Sequence, residues 1–520
     1  MRLRVVCRLH PATQQGAIQV KDRDRRAIRK RKRRIRRRLT NKPRRGDGER
    51  PVIGGPLPRY ELSSRTTATR AGGLGAIHAL VRRIGLQQAI DRRLHLLKRH
   101  QPYHESDHVL ALAYNVLAGG TTLQDLDLLR EDEALMNMLG ARRLPDPTTA
   151  GDFLRRFEPE DIGVLQALVN EVRVKVWNAQ PRPFRQRAVI DVDGTIAGTT
   201  GEKKLGMEFC GYKKTWGYHP LLVSLANTRE PLFLINRPGN VVSHKNAVPV
   251  LDAAIDLVAP VFKEVLLRGD TDFSLTVNFD RWTDQGVKFV FGYDAHPGLV
   301  KTANDLPSET WSPLRRQSKH EAKSSRAKRE NVKERGVIVK GWKNQVLVSE
   351  DLAEFAHKPK RSSQTYRMIV LRKEIEERKG QAVLIANYRY FFYVTNDPTL
   401  TAKEVVTEAN ERCDQENLIA QLKSGINALR MPVHDLVSNW AYMVIASLAW
   451  TLKAWFGLML PRSQDRRKVV AMEFRTFLNS IVLIPAQVAR TGRRLAVRLL
   501  AYTSLIRLIF RSMQATATLT

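Results

Sequence analysis

Three acidic groups in the sequence are set so as to present carboxylates instead of merely solvating a surface. The first is Asp191-Val192-Asp193-Gly194-Thr195, closing an apolar run that begins at Ala188. Residues two apart on a strand leave from the same face, so Asp191 and Asp193 are expected together beside the Gly-Thr turn. The second is Arg268-Gly269-Asp270-Thr271-Asp272, where Leu266 and Leu267 again bring an acid to the carboxyl end of a buried strand. The third is Glu416. At about 100° per residue, Arg412, Glu416 and Lys423 share one stripe of a helix, while Leu418 and Leu422 point elsewhere. Taken alone, that stripe reads as an ordinary row of surface ion pairs.

Three converging acids without a counter-ion repel one another and hold protons, whereas a hard cation such as Mg²⁺ neutralises them through oxygen ligands. Two such ions, about 4 Å apart, activate a water or a 3′-hydroxyl on one side of a phosphodiester and stabilise the leaving oxygen on the other. Metal-dependent phosphodiester chemistry is therefore the expectation, with Arg412 and Lys423 beside the metal to meet a nucleic-acid backbone.

The chain of 520 residues carries 87 Lys and Arg against 52 Asp and Glu, a formal net charge of +35, and 43% of its residues are hydrophobic. That excess exceeds what solubility requires and points to a polyanionic partner, while the apolar share suffices for sizeable cores. Cys7, Cys210 and Cys413 are widely spaced and suit neither a zinc site nor a disulfide framework, so a reducing cytoplasm is expected. The basic opening residues lack the sustained apolar core of a secretory signal. Val437 to Leu460 is long enough to span a bilayer, but it reads as a buried core helix, and no membrane association is expected.

Six segments follow from the patterning. Residues 1–55 read as a disordered basic arm, because Lys21 to Arg45 is roughly two-thirds Lys and Arg. Residues 56–185 recur at helical spacing and read as a helical DNA-binding domain, with Arg155 and Arg156 at helix starts to meet phosphates. From Arg187 the order becomes strand, strand, strand, helix, strand, which makes 186–280 the first part of a catalytic domain. Residues 281–400 read as a β-rich insertion whose basic loop offers Lys319, Lys323 and Arg326 to DNA, a solvated loop being the plainer alternative. Residues 401–465 complete the catalytic domain with the Glu416 helix, and 466–520 read as C-terminal helices.

These parts together resemble the DDE group 1 insertion-sequence transposases of the thirteen-eighty class. The resemblance runs from about Tyr60 to Leu460. It is carried by Ser106-Asp107 with Ala118-Gly119-Gly120, Asp191-Val192-Asp193-Gly194-Thr195, Gly217-Tyr218-His219-Pro220-Leu221, Arg237-Pro238-Gly239-Asn240, Arg268-Gly269-Asp270, and Arg412, Glu416, Asn417 and Lys423. It implies an α/β fold: an RNase H-like catalytic core, a mixed sheet with helices, interrupted by the β-rich insertion and preceded by the all-helical domain. It also implies that Asp193, favoured over Asp191 by the Thr two residues after it, joins Asp270 and Glu416 as catalytic ligands of two Mg²⁺ or Mn²⁺ ions, with Asp191 and Asp272 supporting them. The implied partners are double-stranded DNA, as terminal inverted repeats and target, and a second copy in an active homodimer, in a bacterial cytoplasm at the nucleoid. One departure stands out: the related signature places a Tyr three residues before the Arg, and here Ala409 occupies that position.

Two alternatives remain at this level. Asp191-Val192-Asp193-Gly194-Thr195 also matches the opening of haloacid dehalogenase-like phosphatases, with Asp191 as nucleophile. The further Asp which that family needs after Gly269-Asp270 is replaced by Ser274 and Leu275. The other alternative is a catalytically inactive relative that only binds DNA.

Overall fold

Ala188, Ile190 and Val192 are fully buried on one face of their strand and Asp191 is 1% exposed on the other. Burial on both faces marks the centre of a sheet, where β-branched residues pack well. The computed structural model describes residues 22–40, 67–199, 203–316, 343–379, 382–491, 494–500 and 503–517. Lys319, Lys323 and Arg326 lie outside the described residues, as does most of the basic arm.

Residues 1–64 and 65–520 form two units. In the first, Asp22–Thr40 is a helix where the sequence reading expects disorder. Arg and Lys are strong helix formers, and composition alone does not register that propensity.

In the second unit the strands are, in chain order, β1 (Ala68–Thr69), β2 (Arg187–Gly194), β3 (Ala197–Gly198), β4 (Glu208–Cys210), β5 (Thr215–Tyr218), β6 (Leu221–Leu225), β7 (Glu230–Ile235), β8 (Glu264–Gly269) and β9 (Lys288–Tyr293), followed by β10 (Ser312–Pro313), β11 (Lys343–His357), β12 (Tyr366–Lys379), β13 (Ala382–Thr395), β14 (Ala486–Thr491) and β15 (Arg494–Leu499). Nine of them form a mixed sheet in the order β10-β11-β12-β13-β9-β8-β2-β6-β7. Strand β2 pairs parallel with β8, which pairs parallel with β9, and antiparallel with β6. The fold is thus mixed α/β, and the expected strand and helix order is present as β2, β6, β7, the helix Ala247–Val258, and β8.

Two expectations change. Residues 466–520, read as C-terminal helices, are not wholly helical, because β14 and β15 form a hairpin there that also pairs with β1. Pro485 ends the preceding helical stretch, and from Arg494 to Leu499 the large apolar residues Leu495, Val497 and Leu499 recur every second position, a short strand period between helical segments. Of the 281–400 segment read as a β-rich insertion, β9 belongs to the central sheet beside β8, and the later strands form one long antiparallel ribbon, β11-β12-β13, while residues 337–339 lie outside the described residues.

Helices cover the sheet. Pro159–Asn178 begins with Pro at its first turn and a capping box between Glu158 and Asp161. Leu436–Leu458, the one helix among the described residues long and apolar enough to cross a membrane, is buried inside the protein throughout Ala441 to Leu458. Both helices meet β7 at the fully buried Glu230, whose carboxylate accepts hydrogen bonds from Arg173 Nε (2.9 Å), Trp177 Nε1 (3.2 Å) and Trp455 Nε1 (2.8 Å). A buried carboxylate with this many donors ties the helices at residues 159–178 and 436–458 to the sheet edge.

Lys453 is also fully buried, its Nζ donating to the Val470 carbonyl (2.9 Å) and lying 3.7 Å from the centre of the Trp450 ring. Burial, with the charge of Arg229 added, pulls its ammonium down to about 7. The folded chain therefore binds this proton less tightly than the unfolded chain, and the resulting penalty is largest below pH 7 and fades as pH rises toward 10. Lys453→Met should raise the thermal denaturation midpoint at pH 7, with a gain that shrinks steadily in melts at pH 8.5 and 10. A gain independent of pH would show that the ammonium carries no such penalty.

Candidate active site

Parallel pairing of β2 with β8 sets Asp191 opposite Arg268. Arg268 grips Asp191 with both nitrogens of one edge, Nε to Oδ1 at 2.7 Å and Nη2 to Oδ2 at 2.9 Å, and both side chains are nearly inaccessible. Its remaining nitrogen reaches the Glu408 carboxylate (3.1 Å) and carbonyl (3.2 Å). Asp191 thus has both oxygens committed and cannot attack a phosphate, which removes the phosphatase reading. Its role is to lock β2 to β8 and to the helix Ala402–Glu411.

One step beyond that lock, the two strands release Asp193 and Asp270 at the same end of the sheet. Both line one cavity of about 920 Å³, together with Asp272, His219, Lys213 and Lys423. Burial pushes the Asp193 carboxyl up to about 6, with Arg412 opposing and the charges of Asp270 and Glu416 adding to the rise. Burial likewise raises Asp270, again against Arg412, and the exposed Asp272 adds to it. The Asp272 backbone N–H donates to Asp270 Oδ1 (3.1 Å), which fixes the carboxylate at the start of a short turn.

Glu416 is only partly brought in. Its side chain is 62% exposed and stands 4.0 Å from Arg412 Nη2, while Arg412 Nη1 donates to Asp193 Oδ2 at 3.2 Å. The guanidinium thus lies between the first and third acids. Among the described residues no three His, Cys, Asp or Glu side chains stand close enough to hold a metal ion. In kind, the donors suit a hard divalent cation: two carboxylates at adjacent strand ends, both raised above their ordinary values.

The continuous helical stripe through Arg412, Glu416 and Lys423 is not what forms. One helix ends at Glu411, a second runs from Cys413 to Ala420, and Gln421–Gly425 is a wider π-turn. Lys423 nevertheless reaches the cavity, where burial and the nearby Lys213 lower its ammonium and Asp193 opposes that. A second cavity of about 580 Å³, with Thr121, Thr122 and Arg430, shares Lys423, Ile196 and Gly198 with the first. Arg155 caps the C-terminal end of Pro147–Leu154, not a helix start, and pairs with Asp152 at 2.8 Å. Arg156 lines a separate cavity with Lys98 and Arg99. Neither lines the acid cavity.

The two turn motifs noted in the sequence meet beside the acids. The His219 backbone N–H donates to the Arg237 carbonyl (2.7 Å), and Arg237 Nε donates to the His219 carbonyl (2.9 Å). Arg237 Nη1 also holds the Ser243 and Lys245 carbonyls, at 2.9 and 2.7 Å. His219 Nδ1 lies 2.7 Å from the Val241 carbonyl and so carries the proton, leaving Nε2 toward Gly194. A Cβ at Gly194 would stand 2.7 Å from that nitrogen. In the sequence these residues stand only as polar groups at the ends of the β6 and β7 apolar runs, a signal that assigns them no role.

Residues 65–519 match the family described as transposase DDE domain group 1. Among solved structures the chain is similar to the cryo-EM structure of a piggyBac transposase synaptic complex with hairpin DNA, at 11% identity, over 86% of this chain and 85% of that one. The TM-score is 0.32, a likeness too distant to carry any inference. No curated protein matches the sequence.

Breaking the central lock from one side leaves a guanidinium buried with too few partners. Asp191→Asn should therefore destabilise the protein by about 3–5 kcal/mol, while the double change Asp191→Leu with Arg268→Met should recover most of that loss. Chemical denaturation of the two variants and the parent measures both, and a silent Asp191→Asn would show that the pair does not hold the strands together.

Proposed function

The chain belongs to the transposase DDE domain group 1 family and is a DNA transposase, and on that premise we propose that it cleaves DNA strands at the terminal inverted repeats of an insertion sequence and joins them to target DNA. The observation that supports the catalytic assignment is the release of Asp193 and Asp270 from adjacent parallel strands into one cavity that Lys423 also lines. In this reading the catalytic core is RNase H-like, formed by 186–280 with 401–465, and 56–185 is a helical DNA-binding domain.

Asp193, Asp270 and Glu416 would hold Mg²⁺ or Mn²⁺, two ions in the complete site. When bound, such ions supply the positive charge that phosphodiester oxygens need as one bond to phosphorus forms and another breaks. The chain's own residues do the rest. Asp191 and Arg268 keep the two strand ends in register, and Asp272 orients Asp270 through its backbone N–H. Arg412, paired with Asp193 in the free chain, is placed to contact a phosphate near the acids, and Lys423 meets the backbone between the two cavities. Partner DNA is double-stranded, the working assembly is a homodimer, and the site of action is the bacterial nucleoid.

Asp193→Ala, Asp270→Ala and Glu416→Ala should each abolish strand cleavage of a labelled inverted-repeat duplex in the presence of Mg²⁺ or Mn²⁺, while filter binding to the same duplex is retained. Cleavage that survives any one change removes that residue from the triad. A parent chain that binds the duplex and never cuts it would be the inactive binding relative.

A further inference from the structure

Aromatic side chains crowd one exposed hairpin beside the acids. Strands β4 and β5 pair Phe209 with Trp216, their rings 5.7 Å apart at 62°. Both are solvent-exposed, at 44% and 48%, and Tyr212 at the tip is 87% exposed. Lys213 lies with its Nζ 4.9 Å from the centre of the Tyr212 ring, and Lys214 follows in left-handed conformation, at φ +49°. Cys210, Gly211, Tyr212, Lys213 and Thr215 line the cavity that holds Asp193 and Asp270.

The stem of this hairpin is rigid where the tip is bare. Tyr218 is fully buried and donates from its hydroxyl to the Leu205 carbonyl at 2.8 Å. Glycine is required at two crossings: a Cβ on Gly217 would stand 2.1 Å from the Ala197 carbonyl oxygen, and one on Gly239 would stand 2.4 Å from that of Glu208. The backbones therefore press together at the stem, which holds the aromatic crest in place with about half of Phe209 and Trp216 and most of Tyr212 open to solvent. Its two tip lysines, on a chain of net charge +35, oppose docking of a second copy and favour a polyanion.

We propose that the β4–β5 hairpin holds the DNA strand end beside the acid cavity, stacking an unpaired base on Tyr212 at the cavity rim and the next ones over the crest on the Phe209–Trp216 pair, which faces away from the cavity, while Lys213 and Lys214 meet the phosphates. Every base presents an aromatic face, so such a platform grips single-stranded or frayed DNA without reading its sequence. The proposal rests on the transposase reading of the cavity and adds the element that receives the opened strand.

The test uses the full chain and two labelled duplexes, one fully paired and one with a short unpaired end carrying 2-aminopurine. The parent should bind the frayed duplex more tightly and change the 2-aminopurine fluorescence. Tyr212→Ala and Trp216→Ala should each reduce that preference by about tenfold, with paired-duplex affinity unchanged, and Tyr212→Phe and Trp216→Phe should retain it. Lys213→Ala should weaken both duplexes and flatten the dependence of affinity on salt. Full preference and signal in both alanine variants would overturn the proposal. So would unchanged DNA binding together with a shift in oligomeric state by sedimentation, which would make the crest a protein interface. A parent that binds the paired duplex but shows no preference for the frayed one sinks the hairpin alone, whereas a parent that binds neither sinks the transposase reading with it.

Discussion

A bidentate ion pair between two central strands governs the geometry of everything near the acids. Asp191 and Arg268 are both nearly inaccessible and meet through two short hydrogen bonds across the parallel β2–β8 pairing. Side-chain direction alternates along a strand, so a slip of one residue would turn Asp193 from the cavity into the packed layer. The pair penalises that slip, because either charge would then be buried without its partner. Glu408 extends the same guanidinium contact to the helix Ala402–Glu411, and that helix leads directly into Arg412. Strand ends and the late helical segment are therefore positioned by one buried cation.

Much of this was legible in the chain. Apolar runs ending in acids marked β2 and β8, and the length and uniformity of Val437 to Leu460 marked a core helix, because these signals are local. The function of Arg268 was not legible, since an arginine next to Gly269-Asp270 looks the same whether it faces DNA or a buried carboxylate. The β14–β15 hairpin was missed for a similar reason: its alternating pattern is short, and its partner β1 lies some four hundred residues earlier, as roughly counted along the chain. The π-turn at Gln421–Gly425 has no compositional signature, so a helical wheel drawn straight through it gives Lys423 the wrong phase even though the residue does reach the cavity.

Charge is distributed with a sharp contrast around the acids. Asp193 and Asp270 are lifted above their ordinary range mainly by burial, yet cations stand among the acids: Arg412 opposes the rise of both, and Lys423, with Lys213 near it, faces Asp193. Cations and acids thus stand together at the strand ends, and the guanidinium of Arg412 balances part of the negative charge. Catalytic sites pair strong local fields in this way because charges fixed beforehand need little reorganisation when substrate arrives.

The antiparallel ribbon has a mechanical consequence. Strand β13 joins the main sheet only at Phe392 to Thr395, so from Ala382 to Phe391 its strand pairing is with β12 alone. At roughly 3.3 Å per residue that free stretch reaches about 33 Å. A tilt of about 5° at its root would sweep the far end through about 3 Å, a leverage by which small shifts in the central sheet become large displacements at the periphery, with no backbone hydrogen bond inside the ribbon broken.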